Sequence, residues 1–217
     1  MIARDITLPA GPATLEGQLT LPDDTQALVA FAHGSGSSRF SSRNRFMARM
    51  LNEAGLGTLL FDLLTSEEHQ QDQFTREYRF DIPRLVERLV AAVDWLEVEP
   101  DTARLPLGLF GASTGAAAAL GAAGERSRVG AVVCRGGRPD LTPALTRVRC
   151  PVLLIVGGLD KPVIGMNQAA ARQLSHCEHR LEIVAGATHL FEEPGTLEAA
   201  SGLARDWFLN RLGTGSS

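Results

Sequence analysis

Short apolar runs recur along this chain of 217 residues, and stretches with helical periodicity separate them. Residues 27–32, 57–64, 105–110, 129–134 and 152–156 lack the alternation of a half-exposed strand. That pattern belongs to strands covered on both faces. Between the runs, apolar residues repeat at three and four over 43–54 and over 82–96, the second stretch opened by Asp81 as N-cap and by Pro83. The alanine-rich 116–123 and residues 164–174 also read as helices, 181–184 as a strand, and 197–208 as a final amphipathic helix. Residues 5–8 and 15–21 alternate polar and apolar, which predicts a hairpin at a sheet edge. Strand–helix alternation demands a mostly parallel sheet with helices on both faces. The expectation is an α/β fold with eight strands in one domain, 1–217, ending in a short tail, 213–217. The polar stretch 64–80 reads as a loop.

Composition narrows the partners. Hydrophobic residues make up 44% and charged residues 21%, and the formal charge is −4. Neither nucleic acid nor an anionic membrane is expected to bind such a surface. No stretch reaches the roughly 20 apolar residues of a membrane span, and the first residues lack the apolar centre of a signal peptide. Cys134, Cys150 and Cys177 show no ligand spacing and read as reduced thiols, which fits a cytoplasmic protein.

Parallel sheets of this kind bind ligands beyond the carboxyl ends of their strands. The residues there are His33 to Gly36, Asp62, Ser113, Arg135 to Arg138, Gly157 to Asp160 and Gly186 to His189. Ser113 lies in Gly111-Ala112-Ser113-Thr114-Gly115, between a strand pattern and a helix pattern. A serine hydroxyl becomes a useful nucleophile when a sharp turn presents it beside a base. Asp160 and His189 fall on the same edge and complete the chain order serine, acid, histidine. Asp62 is the competing acid, and Asp160 has an alternative use as a helix cap before Lys161-Pro162. His176 and His179 precede the last strand and belong at the opposite edge. Their spacing in His176-Cys177-Glu178-His179 suits a metal, but nothing nearby completes a site, so the stretch reads as a solvated turn. Gly34-Ser35-Gly36 followed by Asp62 has the outline of a dinucleotide loop, yet Arg39 occupies the position of its third glycine. No glycine-rich turn is followed by G-K-[ST], which excludes a nucleoside-triphosphate loop.

The pieces HGSG at His33 to Gly36, GASTG at Gly111 to Gly115, VGGLD at Val156 to Asp160 and GATHLF at Gly186 to Phe191 together resemble the α/β-hydrolase superfamily. Within it they resemble the small dienelactone-hydrolase-like proteins. Dienelactone hydrolase itself uses a cysteine where this chain has Ser113, so the resemblance implies a serine esterase. It implies Ser113 as nucleophile, His189 as general base and acid, and Asp160 as the group that orients the imidazole. It also implies an oxyanion hole built from the backbone N–H groups of Thr114 and Ser35, with Gly34 beside them. His33 would brace the loop. No cofactor and no metal are implied.

Arg39, Arg43, Arg45, Arg135 and Arg138 gather on loops at the same edge. They read as a solvated rim or, for Arg39 and Arg135, as a clamp for a substrate carboxylate or phosphate. Residues 135–150 leave no room for a large lid, so a shallow, open site for a small ester is expected. Residues 65–79 are the available cover, with Phe74 or Tyr78 lining the pocket. Thioester, lactone or amide cleavage would use the same triad. A catalytically silent binding module is the reading from another class. A homodimer is the expected assembly where the chain is not a monomer.

Overall fold

In the computed structural model, which describes residues 1–213, eight strands form one sheet in the order β1-β2-β4-β3-β5-β6-β7-β8. The strands are β1 (Ile2–Ala10), β2 (Ala13–Leu21), β3 (Ala27–Ala32), β4 (Leu56–Phe61), β5 (Leu107–Ala112), β6 (Val129–Arg135), β7 (Val152–Gly157) and β8 (His179–Val184). The hairpin β1–β2 is antiparallel and sits at one edge, and β2 runs antiparallel to β4. Every later pairing is parallel. Every residue of β3, β4, β5 and β7 is buried, as runs without a polar face require, and the single hydroxyl among them, Thr58 of β4, bonds to Asn52. Residues 214–217 of the expected tail lie outside the described residues.

Among the described residues there are six helices, α1 (Ser42–Glu53), α2 (Ser66–Thr75), α3 (Ile82–Val98), α4 (Thr114–Glu125), α5 (Lys161–Gln173) and α6 (Thr196–Leu212). Met47 and Leu51 of α1 join Trp207 and Phe208 of α6 in the core on one face. Leu85, Leu89 and Val93 of α3 pack with Ala116 to Leu120 of α4 on the other, where Ala170 of α5 joins them. Asp81 caps α3, its side chain accepting from the Arg84 N–H, with Pro83 in the first turn. The connection between β6 and β7 contains only two short 3-10 turns, 139–141 and 145–147, and no helical lid.

Two expectations need correction. The stretch 64–80 is not a loop throughout, because α2 forms in it. Its first turn is a capping box: the Thr65 side chain accepts from the Glu68 N–H, and Glu68 accepts from the Thr65 N–H. The helix has no apolar stripe to betray it. It is tied down by charge instead, with Glu68 2.8 Å from Arg84 and 2.9 Å from Arg88 on α3. The strand expected over 57–64 ends at Phe61. Beyond it the Leu63 N–H leaves the ladder and donates to Nε2 of His33.

Candidate active site

The chain turns sharply where β5 meets α4. Ser113 sits at that turn with φ 52° and ψ −121°, a region that L residues with a side chain rarely occupy. Holding it there costs about 1–3 kcal/mol. The turn is locked by three backbone bonds: Ser113 N–H to the Arg135 carbonyl, and the Arg138 and Ala116 N–H groups to the Ser113 carbonyl. Close packing demands the two flanking glycines. A Cβ on Gly115 would lie 2.1 Å from the Ala32 carbonyl oxygen, and one on Gly111 2.4 Å from the Gly115 oxygen.

Asp160 follows β7 and occupies the N-cap position of α5, yet its side chain makes no cap bond. It turns instead to His189, whose Nδ1 lies 2.6 Å from Asp160 Oδ2. The imidazole is half-exposed and the carboxylate is largely buried. A carboxylate on Nδ1 fixes the tautomer that leaves Nε2 free to accept a proton. The loop bearing His189 is tied back by Glu193, which accepts from both the N–H and the hydroxyl of Thr188. Ser113 and His189 border one cleft of about 220 Å³, with Gly34, Ser35, Ser37, Asn44 and Arg135. Among the described residues no hydrogen bond joins the Ser113 hydroxyl to His189. In unliganded hydrolases such contacts are often long and tighten around substrate.

The loop after β3 lies against the nucleophile turn. A Cβ on Gly34 would sit 3.2 Å from Ser113 Cβ, and the hydroxyls of Ser35 and Thr114 are 3.0 Å apart. Thr114 opens α4, so its N–H has no intrahelical acceptor. The Ser35 N–H donates to no other group among the described residues. His33 shapes this loop: its Nδ1 is 2.9 Å from the Gly34 carbonyl and its Nε2 accepts from Leu63. Both nitrogens are therefore used by a neutral ring. Burial holds its pKa below the ordinary 6.5, although the Gly34 carbonyl pulls the other way. A histidine with a lowered folded-state pKa contributes stability that is full above about 6.5 and is lost as pH falls through the folded value. Urea midpoints at about pH 7.5 and pH 5 should therefore fall for the native chain and fall less for His33→Gln. Equal losses in both chains would contradict the assignment.

The rival acid is occupied elsewhere. Asp62 accepts from the Arg39 backbone N–H at 2.7 Å and pairs with its guanidinium, which also contacts Glu16 at 2.7 Å. Arg39 borders a separate, larger cavity with Asp62 and His69, away from Ser113. Arg138 is paired with Asp140. Phe74 is exposed, and Tyr78 packs on the core beneath Arg84, so neither lines the cleft as expected. His176 and His179 lie at the amino end of β8, and no cluster of three or more His, Cys, Asp or Glu side chains converges among the described residues. The thiols are unsuited to attack: burial pushes Cys134 well above its ordinary range and Cys150 up to about 12. Asn44 and Glu193 are the site neighbours the sequence reading missed. Asn44 carried a signal, because a polar residue opens the buried stripe that Met47, Ala48 and Leu51 of α1 continue at three and four.

A family model described as an alpha/beta hydrolase domain matches residues 25–206. This chain belongs to the α/β-hydrolase family. A dienelactone hydrolase of Anabaena variabilis is 54% identical in sequence and superposes with a TM-score of 0.95 over 97% of this chain and 98% of that one. Est1E of Butyrivibrio proteoclasticus shares the fold at 16% identity, with a TM-score of 0.79 over 95% of this chain and 98% of that one. A protein of Mycobacterium tuberculosis H37Rv, provisionally named a phosphoribosyl transferase, is 53% identical over 96% of this chain. The chain spans about half the length of that curated relative, 46%. Among the described residues, no helix of this chain is long and apolar enough to cross a membrane.

Proposed function

We propose that this chain is a serine hydrolase that cleaves small carboxylic esters through an acyl-serine intermediate. The observation that carries the reading is the pairing of His189 Nδ1 with Asp160 on the cleft that also holds the strained Ser113. Ser113 Oγ attacks the carbonyl carbon while His189 Nε2 takes its proton. The carbonyl electrons move onto oxygen, which the Ser35 and Thr114 N–H groups receive; one such donor is worth about 3–4 kcal/mol. The intermediate collapses, the alcohol leaves with the proton from His189, and a water deacylates the serine by the same path. Asp160 stabilises the imidazolium and stays ionised. The 54% identical neighbour named a dienelactone hydrolase supports an ester-type substrate over an amide, and the small cleft supports a short acyl group.

A second reading comes from the relative's transferase name. That name describes a protein about twice as long, and the matched part is a hydrolase domain. A panel of 4-nitrophenyl acetate, a short thioester, a lactone, an anilide and phosphoribosyl pyrophosphate supplied with nucleobase acceptors separates the readings. The expected result is turnover of the ester with no pyrophosphate released. Inertness toward every acyl substrate would contradict the proposal.

A further inference from the structure

Arg135 ends β6 on the cleft, yet only 6% of it is exposed. Arg39 and Arg138 each have a carboxylate; Arg135 has none among the described residues. Its Nη2 lies 3.3 Å from the neutral Asn44 Oδ1, and its Nη1 has no partner. The rings of Phe110 and Phe191 flank the guanidinium at 5.7 and 5.9 Å. Burial, reinforced by the like charge of Arg43, lowers its pKa to about 10, so it remains cationic at neutral pH. An unpaired cation in such surroundings is costly unless an anion joins it.

The same cleft collects further donors. Arg43 borders it, and the acid nearest that guanidinium is the exposed Glu192, at 3.6 Å. Ser37 and Ser41 present hydroxyls, and Ser41 is the N-cap of α1. The first turn of that helix adds unsatisfied N–H groups and the positive end of its dipole. Asp160, the other carboxylate near the reacting groups, is committed to His189.

We propose that this corner of the cleft is a phosphate subsite, and that the substrates are small esters carrying a phosphate group close to the scissile carbonyl. The inference of an ester rests on the hydrolase reading; the phosphate subsite does not. Two guanidiniums, two hydroxyls and a helix N-terminus offer more donors than a carboxylate's two oxygens can use, and they match a phosphate dianion with three. Arg135 and Ser113 line the same cleft of about 220 Å³, so a phosphate held by one lies close to a carbonyl presented to the other.

Titration calorimetry of the Ser113→Ala chain with inorganic phosphate and with malonate tests the subsite without any need for turnover. Phosphate is expected to bind one per chain and more tightly than malonate. Arg135→Met should weaken phosphate about tenfold or more, Arg43→Gln severalfold, and Arg135→Lys to an intermediate degree, because it keeps the charge and loses the fork. Removing an unpaired buried charge should leave the melting temperature of Arg135→Met unchanged or higher. No phosphate binding, malonate binding as tightly as phosphate, or affinity indifferent to both arginines would overturn the assignment. If phosphate binds and 4-nitrophenyl acetate is cleaved while no phosphorylated ester is, the substrate class is overturned; if phosphate binds and neither ester is cleaved, the hydrolase reading fails and the subsite stands.

Discussion

Replacing Ser113 by alanine is expected to lower kcat on a short ester by about a millionfold, because a triad acts as a unit and loses nearly everything with its nucleophile. The fold should survive. The side chain makes no cap bond for α4, and the turn is held by backbone bonds to Arg135, Arg138 and Ala116 that alanine keeps. Alanine at φ 52° meets the same steric cost as serine there. Kinetics on 4-nitrophenyl acetate, with a melting curve beside them, separate lost chemistry from lost structure. A variant that retained even a hundredth of the native rate would place the nucleophile elsewhere.

Asp160→Asn is expected to cost about ten-thousandfold in kcat with little change in stability. Asp160 accepts from the Nδ1–H of His189, which leaves Nε2 bare for the serine proton. An amide nitrogen presented at that position donates instead, and the imidazole takes the wrong tautomer. The negative charge that stabilises the imidazolium is lost as well. Asp62→Asn is the control. It breaks the pairing with Arg39 and should lower stability while leaving kcat within a few-fold of native. The reverse ranking, with Asp62 the more damaging for kcat, would reassign the acid.

Why these residues were legible in the sequence, and others were not, follows from the forces that place them. Strand tips of a parallel sheet converge on one edge, so Ser113, Asp160 and His189 could be selected by position before any contact was known. The buried strands were equally legible, because a run such as Ala27–Ala32 has no polar face to expose. Helix α2 was hidden because its stability rests on the Thr65–Glu68 box and on the arginines of a later helix, neither of which makes a periodic apolar pattern. The fates of the rim arginines were equally hidden. Arg39, Arg135 and Arg138 look alike along the chain, and only the fold decides which of them meets a carboxylate and which enters the cleft alone.

The most direct measurement is the mass of the chain after exposure to a fluorophosphonate, followed by sequencing of the modified peptide. The expected result is one phosphonyl group per chain, carried on Ser113 and absent from His189→Ala. A folded native chain that stays unmodified, or one modified at another residue, would contradict the assignment of Ser113 as an activated nucleophile.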